Sequence, residues 1–161
     1  MRRLYALLLA ALIAGCGFHL RGVASLPFNT IYLPNAGGGI ALDLKRNIRA
    51  GTDAKVVDTA KEAQAVLEFT REAREKEILT LTGTGAVREY QLHYVVSFRV
   101  RATKGGDFVP PSTIRLSRDV TFNDADVLAE EAEEQLLYRD MQTDMVQQIM
   151  LRLSAARRPQ A

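Results

Sequence analysis

Few residues in this 161-residue chain have types and spacings that could do covalent or acid–base chemistry. There is one cysteine, Cys16, and two histidines, His19 and His93. A metal site needs several His, Cys, Asp or Glu side chains converging, and neither histidine has such neighbours at ligand spacing. His93 reads as an exposed residue on the polar face of a strand rather than a ligand or base. Glu130, Glu131, Glu133 and Glu134 lie where the early turns of a helix are expected, a solvated face suited to the helix dipole rather than a paired acid and base. Gly37-Gly38-Gly39 precedes another helical pattern, yet no Gly-Lys-Ser/Thr follows, so it is not a phosphate-cradling P-loop. No nucleophile, base or metal constellation emerges, so the chain is not expected to be an enzyme, and no cofactor or metal is implied.

Cys16 has a different meaning because of what precedes it. Arg2 and Arg3 form a positive start, and Leu4 to Ala14 is an apolar run with only Tyr5 carrying a polar atom. The run is too short for a membrane span, which takes about 20 apolar residues, and has the anatomy of a signal peptide. Ile13-Ala14-Gly15-Cys16 resembles the lipobox of bacterial lipoproteins. That resemblance implies cleavage between Gly15 and Cys16, a diacylglycerol on the thiol and an acyl group such as palmitate on the new amine. Each buried methylene adds about 0.8 kcal/mol of membrane affinity, so several chains make a lasting anchor. Gly17 stands where an Asp usually signals inner-membrane retention in such lipoproteins, which favours the outer membrane of a Gram-negative envelope, periplasmic side.

Removal of residues 1–15 leaves 146 of the 161, enough for one domain with a real core. Taking Arg2 and Arg3 from the 21 basic residues leaves as many bases as the 19 acids. A neutral chain has no global field for nucleic acid, and any anion must be held by a local patch. The expected divisions are a removed signal peptide at 1–15, a lipidated tether at 16–28, a domain at 29–155 and a disordered tail at 156–161.

Within the domain, Thr30 to Leu33 is a short strand between prolines. Ile40 to Ala50 is an amphipathic helix with Ile40, Leu44 and Ile48 on one face and Gly51 at its C′ position. Lys55-Val56-Val57 is a candidate for a short extended piece. Gln64 to Leu81 is ambiguous: strong helix formers occupy its centre, yet Leu67, Phe69, Ala73, Leu79 and Leu81 share a period of two. A strand is favoured because Thr82-Gly83-Thr84-Gly85 suits a hairpin and a clear partner follows, with part of the hairpin projecting beyond the helix-covered core. In that partner, Val87 to Ala102, residues Tyr90, Leu92, Tyr94, Val96, Phe98 and Val100 face one way. Pro110-Pro111 is expected to interrupt the sheet before a last strand, Ile114 to Phe122. Asn123 to Asp126 offers N-caps for a helix from Val127 to Ser154 with the core stripe Leu137, Met141, Met145, Ile149 and Leu153. The order βαβββα implies an α+β two-layer sandwich, a mixed sheet of about four strands with two helices on one face.

The polar face of that sheet carries Arg99, Arg101, Arg115 and, as a further candidate, Arg88. Arginine forks suit phosphate groups. An ordinary charged face with cross-strand ion pairs reads equally well.

Cys16-Gly17-Phe18-His19-Leu20-Arg21 resembles the start of the mature LPS-assembly lipoprotein (LptE, also RlpB) family, and Glu89-Tyr90-Gln91-Leu92 is a second local match. The resemblance implies a lipoprotein that sits inside the lumen of the outer-membrane β-barrel LptD, helps to assemble it, and takes part in delivering lipopolysaccharide to the outer leaflet. The polar sheet face and hairpin ends would meet the barrel wall. In that family lipopolysaccharide meets basic residues near strand ends; here Thr82 to Val87 has no charge and Asn123 to Asp126 is acidic, so Arg88 is the nearest basic candidate. The other reading of the chain is a periplasmic adaptor lipoprotein that scaffolds envelope proteins without handling lipid.

Overall fold

The computed structural model describes residues 24–121 and 127–159. The signal sequence, Gly15, Cys16, His19, the Gly17–Arg21 signature, Phe122 and the N-cap candidates Asn123 to Asp126 lie outside the described residues. The elements are β1 (Thr30–Tyr32), α1 (Gly39–Gly51), β2 (Lys55–Val57), β3 (Ala65–Leu81), β4 (Val87–Ala102), β5 (Asp107–Thr121) and α2 (Val127–Ser154). They form one mixed sheet in the order β2-β1-β3-β4-β5 with both helices packed on it. β1 runs parallel to β2 and β3, whereas β3, β4 and β5 are successive antiparallel neighbours.

The class is the expected one, with five strands in place of about four. The fifth is Lys55–Val57, whose three residues are too few to show a period but pair with all of β1. Gly51 is the last helical residue of α1 rather than its C′ glycine. Thr52, in extended conformation, ends the helix by donating its backbone N–H and its hydroxyl to the carbonyl of Ile48.

Two further differences come from how the sheet accommodates irregularity. Pro110 and Pro111 do not interrupt the ladder. They lie within β5, which is an edge strand, so one side of it needs no donors. The pairing steps from Val100↔Val109 to Phe98↔Ser112 around them. In β3 the ladder skips Thr70, passing from Phe69↔Phe98 to Arg71↔Ser97. A bulge of one residue exchanges the faces of everything beyond it. Leu67 and Phe69 therefore face the helices, but Glu72, Arg74 and Lys76 follow them there, opposite Val96, Tyr94 and Leu92, and Ala73 turns to the outer face opposite Val95. The expected single apolar face of β3 does not exist, and Ile78, Leu79 and Leu81 are exposed near the hairpin tip.

The core lies between sheet and helices. Ile31, Ile40, Leu44, Ile48, Leu67, Leu92, Tyr94, Val96 and Phe98 meet Met141, Met145, Ile149 and Leu153 there, as the periods of α1, β4 and α2 require. Met141 and Met145 of α2 are core, as expected from their stripe, and Met150 packs half-buried against it. The segment expected to be a tether contributes as well: Leu26 and Phe28 are buried, Ala24 bridges Thr52, and Asp53 accepts from Leu26 N–H. In the tail, Arg158 Nε donates to the carbonyl of Pro27 at 3.2 Å and Ala156 packs against the core.

Candidate functional site

The face of β3–β5 turned away from the helices is the open surface that carries the arginines. Antiparallel register brings Glu68 of β3 directly opposite Arg99 of β4. Arg99 grips Glu68 Oε2 through Nε at 2.7 Å and Nη2 at 2.6 Å, and Arg101 Nη2 reaches Oε1 at 3.2 Å. The Arg99 hydrogen bond, helped by both positive charges against partial desolvation, holds the Glu68 carboxyl below the ordinary range. Arg115 reaches from the edge strand to Glu75 at 3.5 Å, and Glu75 is also held by Arg71 at 2.6 Å. Farther along, Gln91 donates to Asp119 and Thr80 to Glu89, while the Ser97 and Thr113 hydroxyls share a hydrogen bond.

The structure therefore brings Arg99 and Arg101 together and places Arg115 on the same face, each on a carboxylate. Arg88 stands apart near the hairpin end, exposed, with no ion pair among the described residues. The acids that neutralise the patch, Glu68 and Glu75, were missed because they belong to the strand whose register and bulge the period alone does not give. Glu68 was the readable one: it lies between Leu67 and Phe69, so it had to take the face opposite theirs.

His93 corrects an expectation. It sits on the polar face, but beneath its neighbours, with only 7% of its surface exposed. Its Nε2 is 3.5 Å from Glu77 Oε2, and Nδ1 finds no hydrogen-bond partner among the described residues. Val95, beside it, is also buried. β4 is central, so its outer residues have neighbours on both sides: Glu75 and Ser117 stand across from His93, and Ala73 and Arg115 across from Val95.

Polar residues also stitch the helix layer to the far half of the hairpin. Arg74 lies 5.5 Å from the Tyr94 ring centre and 5.0 Å from that of Tyr138, and donates to Gln142 of α2, which donates to Asp43 of α1. Lys76 pairs with Glu134 at 2.7 Å over the Tyr90 ring, and Arg118 with Asp144 at 2.6 Å. Tyr94 donates to Glu72 at 2.6 Å, and Tyr138 to the carbonyl of Glu75. Burial, then the Glu72 carboxylate, raises the Tyr94 phenol well above its usual value; burial likewise raises Tyr138. These contacts occupy the positions that the bulge turned toward the helices.

Among the described residues no group of three or more His, Cys, Asp or Glu could hold a metal ion, and no helix is long and apolar enough to cross a membrane. The face is built of paired charges and hydroxyls on a rigid sheet, which suits recognition of a polar surface.

Relatives share this architecture. The chain is 28% identical over 159 residues to the LPS-assembly lipoprotein LptE of Pectobacterium atrosepticum, covering 94% of this chain and 85% of that protein. A solution structure of lipoprotein B from Nitrosomonas europaea is 43% identical, with a TM-score of 0.74 over 86% of this chain and 91% of that one. A crystal structure of the rare lipoprotein B from Shewanella oneidensis is 26% identical, with a TM-score of 0.68 over 79% and 95%. The family model described as LptE, lipopolysaccharide-assembly, matches residues 20–153, a span that holds all seven elements but for the last residue of α2, and the chain belongs to that family.

Proposed function

We propose that this chain is an outer-membrane lipoprotein, anchored by acyl chains on Cys16 after cleavage behind Gly15, that plugs the lumen of the LptD β-barrel. In that position it assists assembly of the barrel and takes part, without enzymatic chemistry of its own, in delivering lipopolysaccharide to the outer leaflet. The observation that carries this reading is the family match over nearly the whole domain, residues 20–153. The outer sheet face supports it physically. A barrel interior is polar, and Arg99, Arg101 and Arg115 enter it already neutralised by Glu68 and Glu75, so little uncompensated charge is desolvated. Arg88 is the candidate for a lipopolysaccharide phosphate, being the one of the four without an ion pair among the described residues.

Photocrosslinkers at Thr84, Arg99 and Arg115 test the arrangement in cells. Adducts to a large outer-membrane barrel are expected from Arg99 and Arg115. If tagged chain extracted from outer membranes brings down no barrel, the plug reading fails; if its depletion leaves surface lipopolysaccharide unchanged, the transport reading fails too.

A further inference from the structure

At the end of the sheet opposite the Thr82–Ala86 hairpin tip, the β4–β5 turn, the chain entering β1 and the tail leaving α2 enclose a cavity of about 360 Å³. That volume is in the range of small-ligand sites. Its walls are held on three sides. Arg158 is tied to the carbonyl of Pro27, Thr103 N–H donates to Gln64, and the Phe108 ring meets Phe28 edge to face at 5.0 Å. The tail is seated closely on the turn: Gly106 has φ +77°, and a Cβ there would lie 2.8 Å from Pro159.

Among the described residues two cations line the cavity, Lys104 and Arg158, and no carboxylate side chain does. Among the described residues Lys104 has no ion pair, and Arg158 meets the carbonyl of Pro27 but no acid. Beside these cations lie the apolar surfaces of Phe108, Pro27 and Pro159. Whereas Arg99, Arg101 and Arg115 on the outer sheet face are matched by Glu68 and Glu75, the described residues lining this cavity place positive charge next to apolar surface with no acid among them. This lining complements an amphiphile with an anionic phosphate head. Pro27, in its wall, stands eleven positions after Cys16 in the sequence.

We propose that this cavity seats the phosphate headgroup of an anionic phospholipid of the membrane that holds the anchor, with Lys104 and Arg158 on the phosphate and Phe108 against the glycerol and first methylenes. The site would fix the orientation of the anchored domain on the membrane surface before it enters the barrel. It lies at the end of the sheet away from Arg88, and none of the outer-face arginines lines it. Its orientation relies on the Cys16 anchor proposed above; its ligand chemistry does not.

The test uses the full lipidated chain in nanodiscs of phosphatidylcholine, with and without one part in three of phosphatidylglycerol, read by amide hydrogen exchange. Co-elution with the discs reports the anchor separately from the cavity. Phosphatidylglycerol is expected to slow exchange over residues 102–108 at least about threefold, as for a ligand at twice its Kd. The effect should vanish in Lys104→Glu/Arg158→Glu and persist in Lys61→Glu/Arg49→Glu, which changes net charge equally elsewhere. No slowing on phosphatidylglycerol discs, or its loss in both double variants, overturns the proposal. Equal slowing by inorganic phosphate on phosphatidylcholine discs would make this a simple anion site and overturn it as well.

Discussion

Glu68 and His93 stand on the same face and differ in how each polar atom is satisfied. Glu68 holds two arginines yet keeps a quarter of its side chain in water. Its pairs are screened, and Glu68→Gln is expected to cost no more than about 1 kcal/mol in urea unfolding at pH 7. His93 is buried with Nδ1 unpartnered. An unsatisfied buried polar atom costs about 1–3 kcal/mol, so replacing the ring by an apolar one of similar size should recover part of that. His93→Phe is therefore expected to leave stability unchanged or raise it by about 1 kcal/mol; a loss greater than that would mean that the imidazole has a partner that the fold positions for it. The acid–arginine pairs were only half legible in the sequence. The arginines declare their face through the strict alternation of β4, whereas the identity of their partners depends on the register of a neighbouring strand.

At the scale of elements, legibility follows regularity. β4 keeps one period over its whole length and α2 over its described side chains, and the core residues they send to the helix–sheet interface are those that the period selects; His93 and Val95, buried on the outer face of β4, are the exceptions. β3 breaks its period at Thr70, and no local residue type announces the break. The bulge places Glu72, Arg74 and Lys76 under α2, where sequence patterning put an apolar strip, and the helix answers with Tyr138, Gln142 and Glu134. Likewise, Pro110-Pro111 is incompatible only with a central strand, and whether β5 is central or edge is a fact of topology rather than of sequence. Two substitutions test this view of the helix–sheet interface. Met145→Ala removes a fully buried side chain and is expected to cost about 2–5 kcal/mol in chemical unfolding. Arg74→Ala leaves the exposed surface charge changed by one but removes the stack against Tyr94 and Tyr138. About 1 kcal/mol is expected from it, with the loss largely absent in a Tyr138→Leu background; equal losses in both backgrounds would show that the stack contributes nothing.

At the scale of the whole molecule, these environments predict how stability responds to pH. Glu68 titrates lower in the folded chain than its ordinary 4.5, so the unfolded chain binds its proton first as acid is added. The stabilisation from Glu68 is complete above that value and is lost as pH falls through the folded-state value. Tyr94 titrates higher folded than its ordinary 10.0, and Tyr138 shifts the same way. Above pH 10 the unfolded chain releases these protons while the folded chain keeps them, so stability falls as pH rises. The urea midpoint should be nearly level between about pH 6 and 9 and decline on both sides. The two limbs have separate owners and can be taken apart. Glu68→Gln should flatten the acid limb and leave the alkaline one. Tyr94→Phe should do the reverse, and it should also lower the plateau by about 1 kcal/mol for the lost hydrogen bond to Glu72. Phenolate absorbance gives an independent reading of the alkaline side. In the folded chain two tyrosines should resist ionisation until unfolding, and only one should resist in Tyr94→Phe. Ionisation of every tyrosine near pH 10 with the fold intact would mean that the helix layer does not seal the far half of the hairpin from water.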